Sequence, residues 1–241
     1  MKIVELVEVN HYYGEQTVLK NISANFSKNK TTAIIGKSGS GKSTLLQLVN
    51  GLIRPASGEV KIFGERFHYE EVTSIRLRMG YMVQGTGLFP HLTIAENISI
   101  AGRLTNTTVS KTDRINKLMA LVGLPESFQK KYPFELSGGE QQRVGICRAL
   151  FLNPPILLMD EPLGALDPIT RYEIQQEILK LQQLEPRTIL LVTHDMREAK
   201  KLADYILVLH KGEVQQFDTT EKVLKSPENK AVEELINASL T

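Results

Sequence analysis

The stretch Gly36-Lys37-Ser38-Gly39-Ser40-Gly41-Lys42-Ser43-Thr44 carries the clearest chemistry in the chain. It follows the spacing G-x-x-x-x-G-K-[S/T], with Gly36 first, Gly41 and Lys42 in the fixed positions and Ser43 closing. Gly36, Gly39 and Gly41 let the backbone curl with its N–H groups inward, and a helix starting behind them aims its positive dipole end into the same hollow. Such a hollow binds phosphate. Lys42 is placed to reach the outer phosphates, and the Ser43 hydroxyl to ligate an accompanying Mg²⁺.

A second centre follows the apolar run Ile156-Leu157-Leu158-Met159, which ends in Asp160 and Glu161. Asp160 is expected at the C-terminal edge of a buried strand, where open α/β sheets bind ligands, and there it can hold Mg²⁺. Glu161 can take a proton from a water attacking the terminal phosphate. Gln84 and His194 each end another apolar run, so both are expected at that sheet edge. Gln84 can orient water or touch the metal, and His194 can hydrogen-bond the γ-phosphate.

These residues need strands that end together and helices that start there. Residues 2–26 read as strands turned at Gly14, with Tyr12 and Tyr13 just before the turn. Position alone leaves packing or ligand stacking open for them and favours packing. Thr32–Ile35 reads as a buried strand, and Leu45, Leu48, Val49 and Leu52 as the stripe of the helix after the loop. Residues 58–64 and 79–83 add strands, and 72 residues without a strand then separate Val83 from Ile156. That length predicts an inserted helical subdomain. Within it, Ser110 heads a helix with Ile115, Leu118, Met119 and Val122 on one face, stopped at Gly123 and Pro125. A second helix starts with Ser137 as N-cap and Glu140 at N3, and Pro154-Pro155 end the segment. Its glycine-rich start suits an anion, while Ser137 serves equally as a plain cap. After Asp160, an amphipathic helix carries Ile174, Ile178, Leu181 and Leu184. Strands at 188–193, 205–209 and 213–217 and a polar helical tail broken at Pro227 complete a mostly parallel α/β sheet covered on both faces.

Composition is that of an ordinary soluble protein of 241 residues, 41% apolar and 23% charged. A net charge of +2 and no basic stripe argue against nucleic acid as a partner. No run is long enough to cross a membrane and no leader pattern opens the chain, which places it in the cytoplasm. The lone Cys147 shares a helical stripe with Val144 and Phe151 and reads as core.

Leu136–Arg143, LSGGEQQR, resembles the signature of ATP-binding cassette (ABC) transporter ATPases. The likeness covers nearly the whole chain in the family's order: Tyr13, the loop at Gly36, Gln84, the signature, Asp160-Glu161, Ala165-Leu166-Asp167 and His194. It implies the ABC ATPase fold: a P-loop NTPase core with a small antiparallel β subdomain (1–84 and 156–241) and a helical subdomain (85–155), together one nucleotide-binding domain over 1–241. It also implies that Tyr13 stacks on adenine, Gln84 senses the membrane partner, Glu161 is the general base and His194 contacts the γ-phosphate. ATP would be sandwiched between the loop of one subunit and Ser137, Gly138 and Gly139 of a second copy or a paralogous ATPase subunit, with Asp167 coupling the two.

A single cassette of this length resembles the ATPase subunit of a bacterial importer, peripheral on the cytoplasmic face of the inner membrane and driving an integral permease served by a substrate-binding protein. Leu88–Thr93 looks like the stretch such subunits present to their permease. Leu163–Arg171, LGALDPITR, is most similar to subunits serving glycine betaine, choline and related osmoprotectants such as proline. The alternatives are a polar amino acid importer, an exporter ATPase and a soluble ABC-type ATPase without a permease. A P-loop kinase or GTPase would leave the signature and the 72-residue insertion without a role.

Overall fold

The structure is a computed structural model that describes residues 1–85, 87–105, 111–164 and 166–240, with side chains through 238. Ser110, expected to head a helix, and Ala165 lie outside the described residues. In chain order the elements are β1 (Lys2–Tyr13), β2 (Gln16–Ser27), β3 (Thr31–Ile35), α1 (Lys42–Asn50), β4 (Ser57–Ile62), β5 (Glu65–Arg66), α2 (Val72–Arg76), β6 (Met79–Met82), α3 (Ile94–Ser99) and α4 (Lys111–Leu121). They continue with α5 (Gly138–Leu150), β7 (Ile156–Asp160), α6 (Pro168–Leu184), β8 (Thr188–Thr193), α7 (Met196–Leu202), β9 (Tyr205–His210), β10 (Glu213–Thr219), α8 (Thr220–Lys225) and α9 (Lys230–Leu240).

The chain forms two compact units, one from Met1–Arg76 with Arg187–Thr241 and the other from Leu77–Pro186. The first unit holds two sheets. An antiparallel sheet runs in the order β2-β1-β4-β5, with β1 and β2 joined at Gly14-Glu15 as a long hairpin. In the second, β9 and β8 flank β3 in parallel, and β10 adds antiparallel to β9. β3 and β8 are buried at every residue, which is why both read as continuous apolar runs rather than alternating ones. Ala33, Ile35, Ile206 and Val208 of this sheet share a core with Met196 and Ala199 of α7 and with Val223, Val232 and Ile236 of the tail. The tail, expected to be polar, therefore has an apolar face that docks it.

The second unit contains the helical stretch together with β6, β7 and α6. β6 and β7 pair in parallel from Met79↔Ile156 to Met82↔Met159, and α5 packs against α3, α4, α6 and β6. Ile115, Leu118 and Met119 of α4 are buried as their spacing predicts, and Gly123, at φ +67°, ends the segment. Cys147 is fully buried beneath them; its thiol donates to Leu118 O at 3.3 Å, and burial pushes its pKa up. On α6, Ile174, Ile178 and Leu181 are buried, but Leu184 is 63% exposed. It stands on the last helical residue.

Candidate functional site

In the first unit, β3 and β8 run in register to Ile35↔Thr193. Gly36 follows the first strand and His194 the second, so the glycine-rich loop and the histidine leave the sheet side by side. The loop cannot carry side chains at its ends. A Cβ at Gly36 would stand 2.1 Å from Leu209 O, and one at Gly41 2.6 Å from the Leu19 side chain. Gly41 is also left-handed at φ 102° and begins α1 with no side-chain cap. The buried Lys42 folds back over the loop, its ammonium donating to Gly36 O at 2.9 Å and Lys37 O at 3.2 Å. Ser40 Oγ is buried without a hydrogen-bond partner. An uncapped helix start, an orphaned hydroxyl and an ammonium parked on carbonyls form a cradle that an oxyanion completes.

Two more candidate side chains, His194 and Tyr13, belong to this unit. His194 is exposed, and its turn is locked by Thr193 Oγ1, which donates to Glu198 at 2.6 Å and accepts from Asp195 N at 3.0 Å. Tyr13 is 49% exposed rather than packed. Its hydroxyl donates to Gln47 of α1 at 3.3 Å, and the buried His11 supports its ring edge-on at 4.8 Å. An open aromatic face held beside α1 suits a flat ring better than a core.

In the second unit, β6 and β7 bring Gln84 and Asp160-Glu161 to one edge. Asp160 is buried at 4% exposure. Burial, and then the charge of Asp160, pushes the neighbouring Tyr81 phenol up to about 12. Gln84 Nε2 approaches Glu161 Oε2 at 3.4 Å. Glu161 has a left-handed backbone, φ 45°, which costs a non-glycine residue about 1–3 kcal/mol and clusters at functional sites. The turn closes through Gly164 N donating to Glu161 O at 3.3 Å.

The start of α5 is a closed capping box. Glu140 Oε2 accepts from Ser137 N at 2.7 Å, and Ser137 Oγ accepts from Glu140 N at 3.3 Å. Gly138 faces open space, whereas a Cβ at Gly139 would meet the Thr170 side chain at 2.4 Å. The glycine thus seats α5 against the first turn of α6. Asp167 caps that turn, accepting from Ile169 N and Thr170 N at 3.1 Å each, and its hydrogen bonds with Thr170 lower its pKa. Two helix N-termini converge here, one capped by a hydroxyl and one by a carboxylate.

Two residues of consequence, Gln142 and Asn97, lack a sequence signal, whereas the cap at Asp167 has one. Asp167 is an N-cap with Pro168 at N1, a pattern legible at the head of α6. Gln142 donates from inside α5 to Pro162 O, and Asn97 ties down the segment 89–93. Neither contact has a sequence pattern.

A family model described as "ABC transporter" matches residues 19–164. The glycine betaine uptake system ATP-binding protein YehX of Escherichia coli (strain K12) is 42% identical over 98% of the chain and 77% of its own length. The glycine betaine/carnitine/choline transport ATP-binding protein OpuCA of Bacillus subtilis (strain 168) is 43% identical over 97% of the chain, which spans 62% of that relative. Among solved structures, the dimeric MJ0796 cassette superimposes with TM-score 0.83 at 36% identity, covering 90% of this chain and 99% of that one. A second structure of that cassette, a post-hydrolysis state with ADP and Pi, gives TM-score 0.82 at 35% identity and the same coverage.

Proposed function

Since the chain belongs to the ABC transporter family, we propose that it is the ATP-hydrolysing subunit of an importer for an osmoprotectant such as glycine betaine, choline or proline. The observation that carries the nucleotide reading is the loop 36–44, with its two obligatory glycines, parked Lys42 and orphaned Ser40 hydroxyl. The cargo reading rests on 42–43% identity, sustained over 97–98% of the chain, to relatives named for glycine betaine, carnitine and choline.

In this reading adenine lies on Tyr13, and the triphosphate enters the loop, where Lys42 exchanges its two carbonyls for the outer phosphates. Ser43, Asp160 and Gln84 offer the hard oxygen donors that suit Mg²⁺, which would neutralise charge on the phosphates. Glu161 accepts the proton of the attacking water, Gln84 holds that water in line, and His194 donates to the γ-phosphate. Ser137, Gly138 and Gly139 receive the γ-phosphate of a nucleotide held by a second subunit, and Asp167 lies at that contact. Loss of the bridging phosphate lets the subunits part. Phe89, 42% exposed and ring to ring with His91 at 6.0 Å, presents the permease-facing stretch. Among the described residues no helix is long and apolar enough to cross a membrane; in this reading a permease supplies the spans and the subunit sits peripherally on its cytoplasmic side.

Affinity purification of the tagged chain from detergent-solubilised membranes tests the assignment. A polytopic partner, with a binding protein whose aromatic cage fits a quaternary ammonium, is the expected outcome. Recovery of an active ATPase alone, or with ribosomes or DNA-repair proteins, would refute it.

A further inference from the structure

We propose that Gln142 is a positioning residue for Glu161, tying the hydrolytic turn to the signature helix. The proposal rests on the reading of Glu161 as general base and of Ser137 as the contact to a second subunit's nucleotide. Gln142 stands in the second turn of α5, 6% exposed, and its Nε2 donates to Pro162 O. Pro162 is buried and has no N–H, so its carbonyl is its entire backbone hydrogen-bonding capacity, and a side chain from another element satisfies it.

The bond matters because of what precedes it. Glu161 sits at φ 45°, a conformation that persists only where its surroundings over-determine it. Gly164 N restrains the Glu161 carbonyl from within the turn at 3.3 Å. Gln142 restrains the next carbonyl from outside. With both held, the Glu161 side chain stays aimed beside Gln84 at 3.4 Å. Released at Pro162, the backbone can relax towards negative φ and swing the carboxylate away.

The other end of the link is equally fixed. Gln142 lies five residues after Ser137, about 7.5 Å along a rigid helix whose start is closed by the capping box and seated on Thr170 through Gly139. The start of α5 and the turn at Pro162 are thus tied through one side chain. One chain then serves two nucleotides, touching the second subunit's through Ser137 and hydrolysing its own through Glu161, with Gln142 as the mechanical join.

The test uses Gln142→Met, an isostere without a donor, and Gln142→Glu, an isostere that cannot donate when ionised. Steady-state hydrolysis of MgATP by the full chain should show kcat reduced at least ~10-fold with KM within about twofold. In a Glu161→Gln background the same changes should leave ATP-dependent dimerisation as it is in Glu161→Gln alone, because the link acts on the base and not on nucleotide capture. Unchanged kcat, a rise in KM without loss of kcat, or loss of dimerisation would each overturn the proposal. Failure of both variants to fold would also overturn it, assigning the bond to the fold. Normal turnover by Glu161→Gln itself would instead strike at the general-base reading, independently of what Gln142 does.

Discussion

Glu161, proposed above as the general base, stands on a strained backbone. Its neighbour Asp160 is an ordinary strand end, buried and extended, whereas Glu161 turns left-handed to leave the sheet. Glu161→Gln should keep MgATP binding while hydrolysis falls at least ~10²-fold, leaving an ATP-bound dimer visible by size-exclusion chromatography. Near-normal turnover would remove Glu161 from its role. Gly41→Ala tests the cradle instead: φ 102° and the Leu19 side chain 2.6 Å away should lower unfolding free energy by ~1–3 kcal/mol and abolish nucleotide binding, read by denaturant titration and fluorescent ATP. The glycines and Lys42 were legible because their spacing is local and the loop closes on itself. The strain at Glu161 and the bond from Gln142 were not, since the first depends on how a turn leaves β7 and the second joins residues 20 apart.

At the scale of elements, α5 is held at both ends by means of different legibility. Its start announces itself as Ser137 followed by Glu140, three residues on. Its end is satisfied from α4: Arg114 donates to Leu150 O at 2.8 Å and to Phe151 O at 3.1 Å, stopping the helix before the Pro154-Pro155 expected to end the segment. Arg114→Ala should cost ~1.5–3 kcal/mol of stability, measured by urea unfolding, because two helix-terminal carbonyls lose a charged donor. The α5–α6 seam carries a titration as well. Arg143 of α5 pairs with Glu173 and Glu177 of α6 and donates to Val122 O at 2.8 Å. Burial nevertheless outweighs Arg143 at Glu177 and pushes its carboxyl up from an ordinary 4.5 to about 7. The native state thus binds more protons than the unfolded chain between those values, so stability falls as pH rises through that window and the loss is complete above about 7. Relative to Glu177→Gln, the wild-type chain should lose ~1–3 kcal/mol between pH 4.5 and 7.5, and a flat difference across that range would contradict the burial assigned to Glu177. No pattern in the sequence marks this pair, because it arises from two helices meeting 34 residues apart.

For the molecule as a whole, the parallel strands were readable as short apolar runs and α1, α4, α5 and α6 as periodic ones, whereas α2, α3 and α7 are too short to show a period. The division was less so: β6, β7 and α6 cluster with the helical stretch, since α5 packs on both β6 and α6. One buried side chain in that unit bears on assembly. Asn97, fully buried, accepts from Phe89 N at 2.8 Å and reaches the carbonyls of Phe89, Leu92 and Thr93 at 3.0–3.1 Å. The exposed Phe89-Pro90-His91 segment is therefore held in place from within, and the proposed association with a permease need not supply that ordering entropy. Asn97→Ala should leave ATP hydrolysis by the isolated subunit within about twofold, yet shorten the lifetime of its complex with the membrane partner ~10-fold in surface-capture dissociation kinetics. The residence time of the proposed complex would then depend on an amide buried beneath the surface it offers.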